Sequence, residues 1–159
     1  VGRGNLYKFH LRSRYGGAST EKSDPFALLT EVPPRTASVV WEPRHRWCDR
    51  EWLERRAAGN GLEKPMSIYE MHVGSWRRVL AENNRSLGYL ELARELGDYL
   101  AELGFTHVEL LPVMEHPFFG SWGYQTTGYF AASSRYGTPE ELMALIDALH
   151  QRGIGVILD

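Results

Sequence analysis

Along this 159-residue chain the spacing of apolar side chains changes character part-way. Up to about residue 48 the apolar residues fall in short extended runs, LYKFHL at 6–11 and ASVVW at 37–41. Turn-rich stretches separate them, SDPF at 23–26 and EVPPR at 31–35, and this is the pattern of an all-β segment. CDREWLERRAAGNGLEKP (48–65) follows, mixing charge with Gly59, Asn60, Gly61 and Pro65, as expected of a partly helical connecting segment. From residue 66 the period lengthens. MSIYEMHV (66–73) predicts a strand, and GYLELARELGDYLAELG (88–104) predicts an amphipathic helix with Leu92, Leu96, Tyr99 and Leu103 on its apolar stripe and Ala93 and Leu100 beside them. Gly104 stands where a left-handed cap ends a helix, and THVELLPV (106–113) predicts a second strand.

Thr138-Pro139-Glu140-Glu141 starts a second helix: Thr suits the cap, Pro the first helical position, and Glu141 completes a capping box. Leu142, Leu145, Ile146 and Leu149 form its stripe, Arg152 complements the negative helix end, Gly153 stops it, and IGVIL (154–158) predicts a third strand. The alternation is βαβαβ. It requires parallel strands, so the fold class is α/β, either an open doubly wound sheet or the opening of a (β/α)8 TIM barrel. The chemically rich loops follow strands, as in barrel enzymes. Gly153-Ile154-Gly155 precedes a strand where a dinucleotide fold needs its glycines after one, which favours the barrel. The expected organisation is the end of a β-sandwich at 1–48, a linker at 49–64, and the first three strands and two helices of a barrel at 65–159. GIGVILD (153–159) runs out on Asp159 with no following turn, so the chain is expected to be truncated after strand three.

Charge and composition narrow the partners. Eighteen Lys plus Arg balance twenty Asp plus Glu, giving a net charge of −2 with no block of one sign, so nucleic acid is not an expected partner. Arg44, Arg46, Arg50, Arg55 and Arg56 interleave with Glu42, Asp49, Glu51 and Glu54, as on a solvated face. Cys48 is the single cysteine, so no intrachain disulfide forms, which fits a cytoplasmic setting. No apolar run reaches the ~20 residues of a membrane span, and no membrane partner is expected.

FFGSWGYQTTGY (118–129) fits none of these periods. Phe118, Phe119, Trp122, Tyr124 and Tyr129 sit among glycines in the loop after the second strand. Rings with polar tips can present an apolar face to a pyranose and a donor to its hydroxyls; a loop mini-core is the equal alternative. Glu70 with His72, and Glu109 with Glu115 and His116, are expected to make structural hydrogen bonds; no His-Glu-x-x-His pattern exists, and neither metal nor cofactor is implied. His107 and His150 are expected at packed or solvated positions. Asn84-Arg85-Ser86 matches a glycosylation acceptor, but helix entry accounts for it better.

PMSIYEMHVGSW (65–76), the stretch from Leu87 to Leu142 with EHPFFGSWGYQ at 115–125 as its most specific part, and GIGVILD resemble bacterial 1,4-α-glucan branching enzymes of the α-amylase-type barrel superfamily. SDPFALLTEVPPRTASVVW (23–41) resembles the end of the carbohydrate-binding β-sandwich that precedes the barrel in these enzymes, so the resemblance covers nearly the whole chain. It implies an α-glucan substrate such as glycogen or amylose, cut at an α-1,4 link and transferred to a 6-hydroxyl by a retaining mechanism with two carboxylates. Tyr124 matches the tyrosine that stacks on the sugar before the scissile bond. Asp159 matches the first aspartate of the motif ending strand three, which supports the site without attacking. Trp122 and Gln125 are implied to lie at the rim or just behind it in the same loop, with a packing role at least an equal alternative for Trp122. The nucleophile and the acid/base come from later strands in the family, so no catalytic residue is expected within this chain, and the piece is expected to be inactive alone. Thr126 and Ala132 stand where the family more often has proline, which touches only loop stiffness. Other possibilities are a piece of another α-glucan-active barrel enzyme, such as a trehalose-releasing hydrolase of maltooligosyl trehalose, whose loop is similar, or a non-catalytic glucan-binding module.

Overall fold

The computed structural model describes residues 2–59 and 63–159, so the expectations for Val1 and for Asn60, Gly61 and Leu62 of the connecting segment lie outside the described residues. The first strands are β1 (Leu6–Tyr7), β2 (Phe9–Arg12), β3 (Ser19–Lys22), β4 (Leu29–Thr30) and β5 (Ser38–Val39), followed by helix α1 (Arg50–Gly59). Then come β6 (Ile68–Met71), β7 (Arg78–Val79), β8 (Arg85–Ser86), α2 (Tyr89–Glu102) and β9 (His107–Leu110). The chain continues with β10 (Met114–Glu115), β11 (Gly128–Ala132), α3 (Pro139–Gln151) and β12 (Gly155–Leu158). By packing these elements form two compact units, Val1–Pro43 with Met114–Pro139, and Arg44–Val113 with Glu140–Asp159.

The first unit is antiparallel throughout. β5 is the centre of the sheet β1-β5-β4, with Val39 facing both Leu6 and Leu29. β2 and β3 make a hairpin from Phe9–Lys22 to Arg12–Ser19, and β10 pairs with β11 across an irregular register. Local chemistry sets the turns. At SDPF the Asp24 carboxylate accepts the Phe26 N–H (2.9 Å) and the Asp24 carbonyl accepts the Ala27 N–H (3.2 Å), an Asx turn. At EVPPR the Glu31 carboxylate accepts the Ala37 N–H (3.1 Å), and the Glu31 N–H bonds the Ala37 carbonyl (2.9 Å).

The second unit carries the α/β pattern. β6, β9 and β12 are parallel with β9 in the centre, in register from Ile68, His107 and Gly155 to Met71, Leu110 and Leu158. Its core holds Leu92, Leu96 and Leu100 of α2, Leu145 and Leu149 of α3, and Val108 and Leu110 of β9, all fully buried. The end of α2 follows its sequence: Gly104 has φ +78°, and the Phe105 N–H reaches back to the Leu100 carbonyl (3.0 Å).

Three expectations are corrected. Leu103 is 54% exposed and does not belong to the buried stripe, because α2 ends at Glu102 and Leu103 is its cap. Phe105, just past the cap, meets the ring of Tyr69 instead (centroids 5.1 Å apart). On α3, Leu142 and Ile146 are only half-buried, while Asp147 and His150 are buried between and after the leucines. Each has a partner outside the helix: Asp147 accepts the Cys48 N–H (3.0 Å) and faces His45 Nε2 (3.1 Å), and His150 Nδ1 lies 2.7 Å from Asp49 Oδ2. Finally, Asn84 does not open a helix. It follows Asn83 in a turn where both have positive φ (55° and 56°), joining β7 to β8, and α2 begins only after Gly88.

Candidate functional site

The aromatic segment occupies the excursion between β10 and β11. Phe119–Ser121 forms one short 3-10 turn, Trp122 follows with φ +55° and Gly123 with φ +94°. Two consecutive left-handed residues reverse the chain, and the Tyr124 N–H returns to the Ser121 carbonyl (3.0 Å). Gly120 has its own reason to lack a side chain: the Phe118 ring lies over it, and a Cβ there would sit 2.6 Å from Phe118 Cζ. Ser121 Oγ donates to the Phe118 carbonyl (2.7 Å) and Thr126 Oγ1 to the Gly123 carbonyl (3.0 Å), a bond that a proline at 126 would lack.

The rings point to solvent. Trp122 is 54% exposed, Tyr124 58%, and Phe118, Phe119 and Tyr129 are exposed as well. Of the two sequence alternatives, the buried mini-core is therefore not the arrangement, since a mini-core shields its rings from water. Gln125 is exposed on the same loop. Tyr124, Trp122 and Gln125 thus share four residues of one loop in the first unit, while Asp159 belongs to the second unit. There Asp159 is exposed directly after β12, and its N–H bonds the carbonyl of Leu110, the last residue of β9 (3.1 Å). It stands at the carboxyl ends of the parallel strands, where α/β barrels place their sites.

The loop is fastened at its base by a residue whose partners the sequence did not reveal. Glu115 is 3% exposed. Its Oε2 accepts the Ser134 N–H (2.8 Å), the Ser134 hydroxyl (2.5 Å) and the Thr30 hydroxyl (3.2 Å). Its Oε1 accepts the His116 N–H (3.0 Å) and Arg135 Nη1 (2.9 Å). His116 Nδ1 faces the Met114 carbonyl at 2.9 Å, so that nitrogen carries the proton. The structural role expected for Glu115 and His116 is what the geometry shows. The Thr30 partner lies 85 positions away, and no local spacing could announce it. Among the described residues no group of three His, Cys, Asp or Glu side chains is arranged to hold a metal ion.

Comparison with known proteins is consistent with this picture. Residues 77–159 match the model of the alpha amylase catalytic domain. The branching enzyme GlgB of Albidiferax ferrireducens is 57% identical over 157 residues, which is 99% of this chain and 25% of that protein. GlgB of Aquifex aeolicus is 60% identical over 98% of this chain and 24% of its own length. The chain therefore spans about a quarter of the length of the curated relatives it matches. Among solved structures, a Salmonella typhimurium protein assigned as an alpha amylase superposes over the whole chain with a TM-score of 0.75 at 29% identity, covering 24% of that protein. A GBS pullulanase solved with maltotetraose superposes over 96% of this chain and 24% of its own, with a TM-score of 0.67 at 22% identity, and so shares the fold. The resemblance carried by EHPFFGSWGYQ and its flanking strings extends over the full chain: it belongs to the alpha-amylase catalytic-domain family and, within it, stands with the 1,4-α-glucan branching enzymes.

Proposed function

We propose that this chain is the part of a cytoplasmic 1,4-α-glucan branching enzyme that joins the end of a β-sandwich (1–48) through a linker (49–64) to the first three strands and two helices of the catalytic barrel (65–159). Its substrate is an α-glucan such as glycogen or amylose. Tyr124 stacks on the glucose before the scissile bond, Trp122 and Gln125 line the rim, and Asp159 supports the site from the end of β12 without attacking. The observation that carries this reading is the solvent-facing pair Trp122 and Tyr124 on a loop whose geometry is fixed by its own backbone bonds. Such rings can lay an apolar face against a pyranose while their polar tips bond its hydroxyls. Relatives at 57% and 60% identity favour branching over trehalose release.

In the parent reaction one carboxylate would capture the cleaved chain covalently and a second would act as acid and then base, with a glucan 6-hydroxyl as acceptor. The reading involves no cofactor and gives neither carboxylate role to a residue of this chain. Two measurements test it. In native gels the chain is expected to migrate more slowly when amylopectin is present, and Tyr124→Ala to abolish most of the retardation; unretarded wild-type chain removes the platform. Incubated with amylose, the chain alone is expected to leave the iodine colour unchanged, and new branches released by a debranching enzyme would overturn the placement of the nucleophile elsewhere. No helix among the described residues is long and apolar enough to cross a membrane.

A further inference from the structure

We propose that Glu115 is a positioning residue that sets the pose of the Trp122 and Tyr124 rings, and that it couples this pose to strand β4 through Thr30. The inference rests on the glucan-platform reading above. Residues 116–127 leave and rejoin the β10–β11 pair, and the positions of these two ends constrain where the loop carries Trp122 and Tyr124. Both ends are held by Glu115. At the start, its carboxylate holds the His116 N–H, and Arg135, which bonds Oε1, also donates to the Pro117 carbonyl (3.0 Å). At the finish, its backbone carbonyl accepts the Thr127 N–H (2.9 Å) and lies 3.3 Å from the Thr127 hydroxyl. Glu115 also pairs with Gly128, where a Cβ would lie 3.4 Å from the Glu115 Cβ, so the strand closes tightly beside it.

Five donors converge on one buried carboxylate, and such charge-assisted bonds have narrow geometry. A carboxylate with every lone pair engaged has one orientation available, and the loop ends inherit it. Thr30 adds a contact from β4 on the other side of the same oxygen that holds Ser134. A shift of β4 would therefore compete with Ser134 for Oε2 and move the base of the loop. The Glu31 carbonyl is also within reach of Thr30 Oγ1 (3.3 Å), so its one hydroxyl proton is shared between a chain neighbour and Glu115 Oε2 (3.2 Å).

The test uses the full 159-residue chain, with Glu115→Gln, Thr30→Val and Thr30→Ser, followed by 1H–15N spectra that report the Trp122 indole and the Tyr124 amide. Maltoheptaose is the titrant. Glu115→Gln keeps the shape but turns two N–H donors toward groups that also donate. It is expected to shift the Trp122 and Tyr124 resonances, speed amide exchange in the loop, and weaken maltoheptaose binding by roughly fivefold to tenfold, the size of one lost charge-assisted bond. Thr30→Val is expected to shift the same resonances with about a twofold to threefold loss of affinity, and Thr30→Ser, which keeps the hydroxyl, to restore both. If Glu115→Gln folds and the loop resonances stay in place, the proposal fails; if it does not fold, unchanged loop resonances in Thr30→Val overturn it. Wild-type chain that ignores maltoheptaose would defeat the glucan platform, and the loop resonances of the variants would still decide whether Glu115 sets the pose.

Discussion

Trp52 and His150 stack face to face, their ring centroids 3.7 Å apart and their planes within 4° of parallel. Trp52 belongs to α1 and His150 to the last turn of α3, and Asp49, immediately before α1, bonds the edge of the same imidazole. Asp49 is 6% exposed and His150 9%. A second pair of opposite polarity, His45 with Asp147, makes the same connection one turn away. The segment leading into α1 is therefore fixed to α3 by two His–Asp contacts.

His150→Phe should keep most of the stack but leave the Asp49 carboxylate buried without its partner. We expect a loss of about 2–3 kcal/mol in urea unfolding, the cost of an unsatisfied buried charge, and recovery of much of it in the double variant with Asp49→Asn. A single variant as stable as the wild type would refute the coupling.

Glu91 gives a pH dependence with a definite sign. Its carboxylate is pulled down from 4.5 to about 2, first by the Arg85 guanidinium (2.7 and 2.8 Å) and then by the Gly88 N–H (2.8 Å) at the start of α2. A lowered carboxylate stabilises the fold fully above the unfolded value and loses that contribution as pH falls toward the folded one. The stability difference between wild type and Glu91→Gln should be constant above about pH 5 and close between pH 4.5 and 2. The pair is partly solvated, so the difference should be modest and shrink in salt. A gap that is independent of pH would count against the bond.

Tyr7 supplies the opposite sign. Its hydroxyl donates to Asp24 Oδ2 at 2.6 Å, and that bond, with burial and the Asp24 charge, pushes the phenol up from 10 to about 12. A raised value means the contribution is complete below pH 10 and disappears as pH rises through about 12. Tyrosinate absorbance should show a late-titrating component that Tyr7→Phe reduces, the remainder coming from Tyr99, which its bond to Tyr69 also raises. If all tyrosines of the wild type titrate together near 10, the bond is absent in solution.

Gly155 opens β12 beneath the His107 ring, where a Cβ would lie 2.3 Å from Cδ2 and 2.7 Å from Nε2. His107 cannot swing away freely, since Nδ1 is 2.8 Å from Thr106 Oγ1. Gly155→Ala should therefore destabilise by about 1–3 kcal/mol, as overpacking does. His107→Ala in the same chain should relieve most of it; a fully additive double variant would show that the ring is not the obstacle.

Much of the fold was written locally. The leucines of α2 recur with helical spacing, Gly104 and Gly153 both take the positive φ that a helix stop requires, and Pro139 opens α3. These features act within a few residues, which is the range over which backbone sterics and periodic burial operate. Leu103 and Asn84 went astray at element ends, where one residue of shift converts a buried position into a cap or a helix entry into a turn.

The site divides in the same way. The sequence by itself determined that aromatic rings crowd a glycine-bearing loop after a strand and that the alternation is βαβαβ, since each is a property of neighbours in the chain; EHPFFGSWGYQ added the resemblance to branching enzymes. Only the tertiary structure decided that Trp122 and Tyr124 face water instead of packing inward, that Glu115 holds Thr30 from 85 positions away, and that Asp147 and His150 are buried on a helix face that spacing alone would fill with Leu142 and Ile146. A buried polar group is stable only where distant segments bring it partners, and which segments meet is fixed by packing of the whole chain.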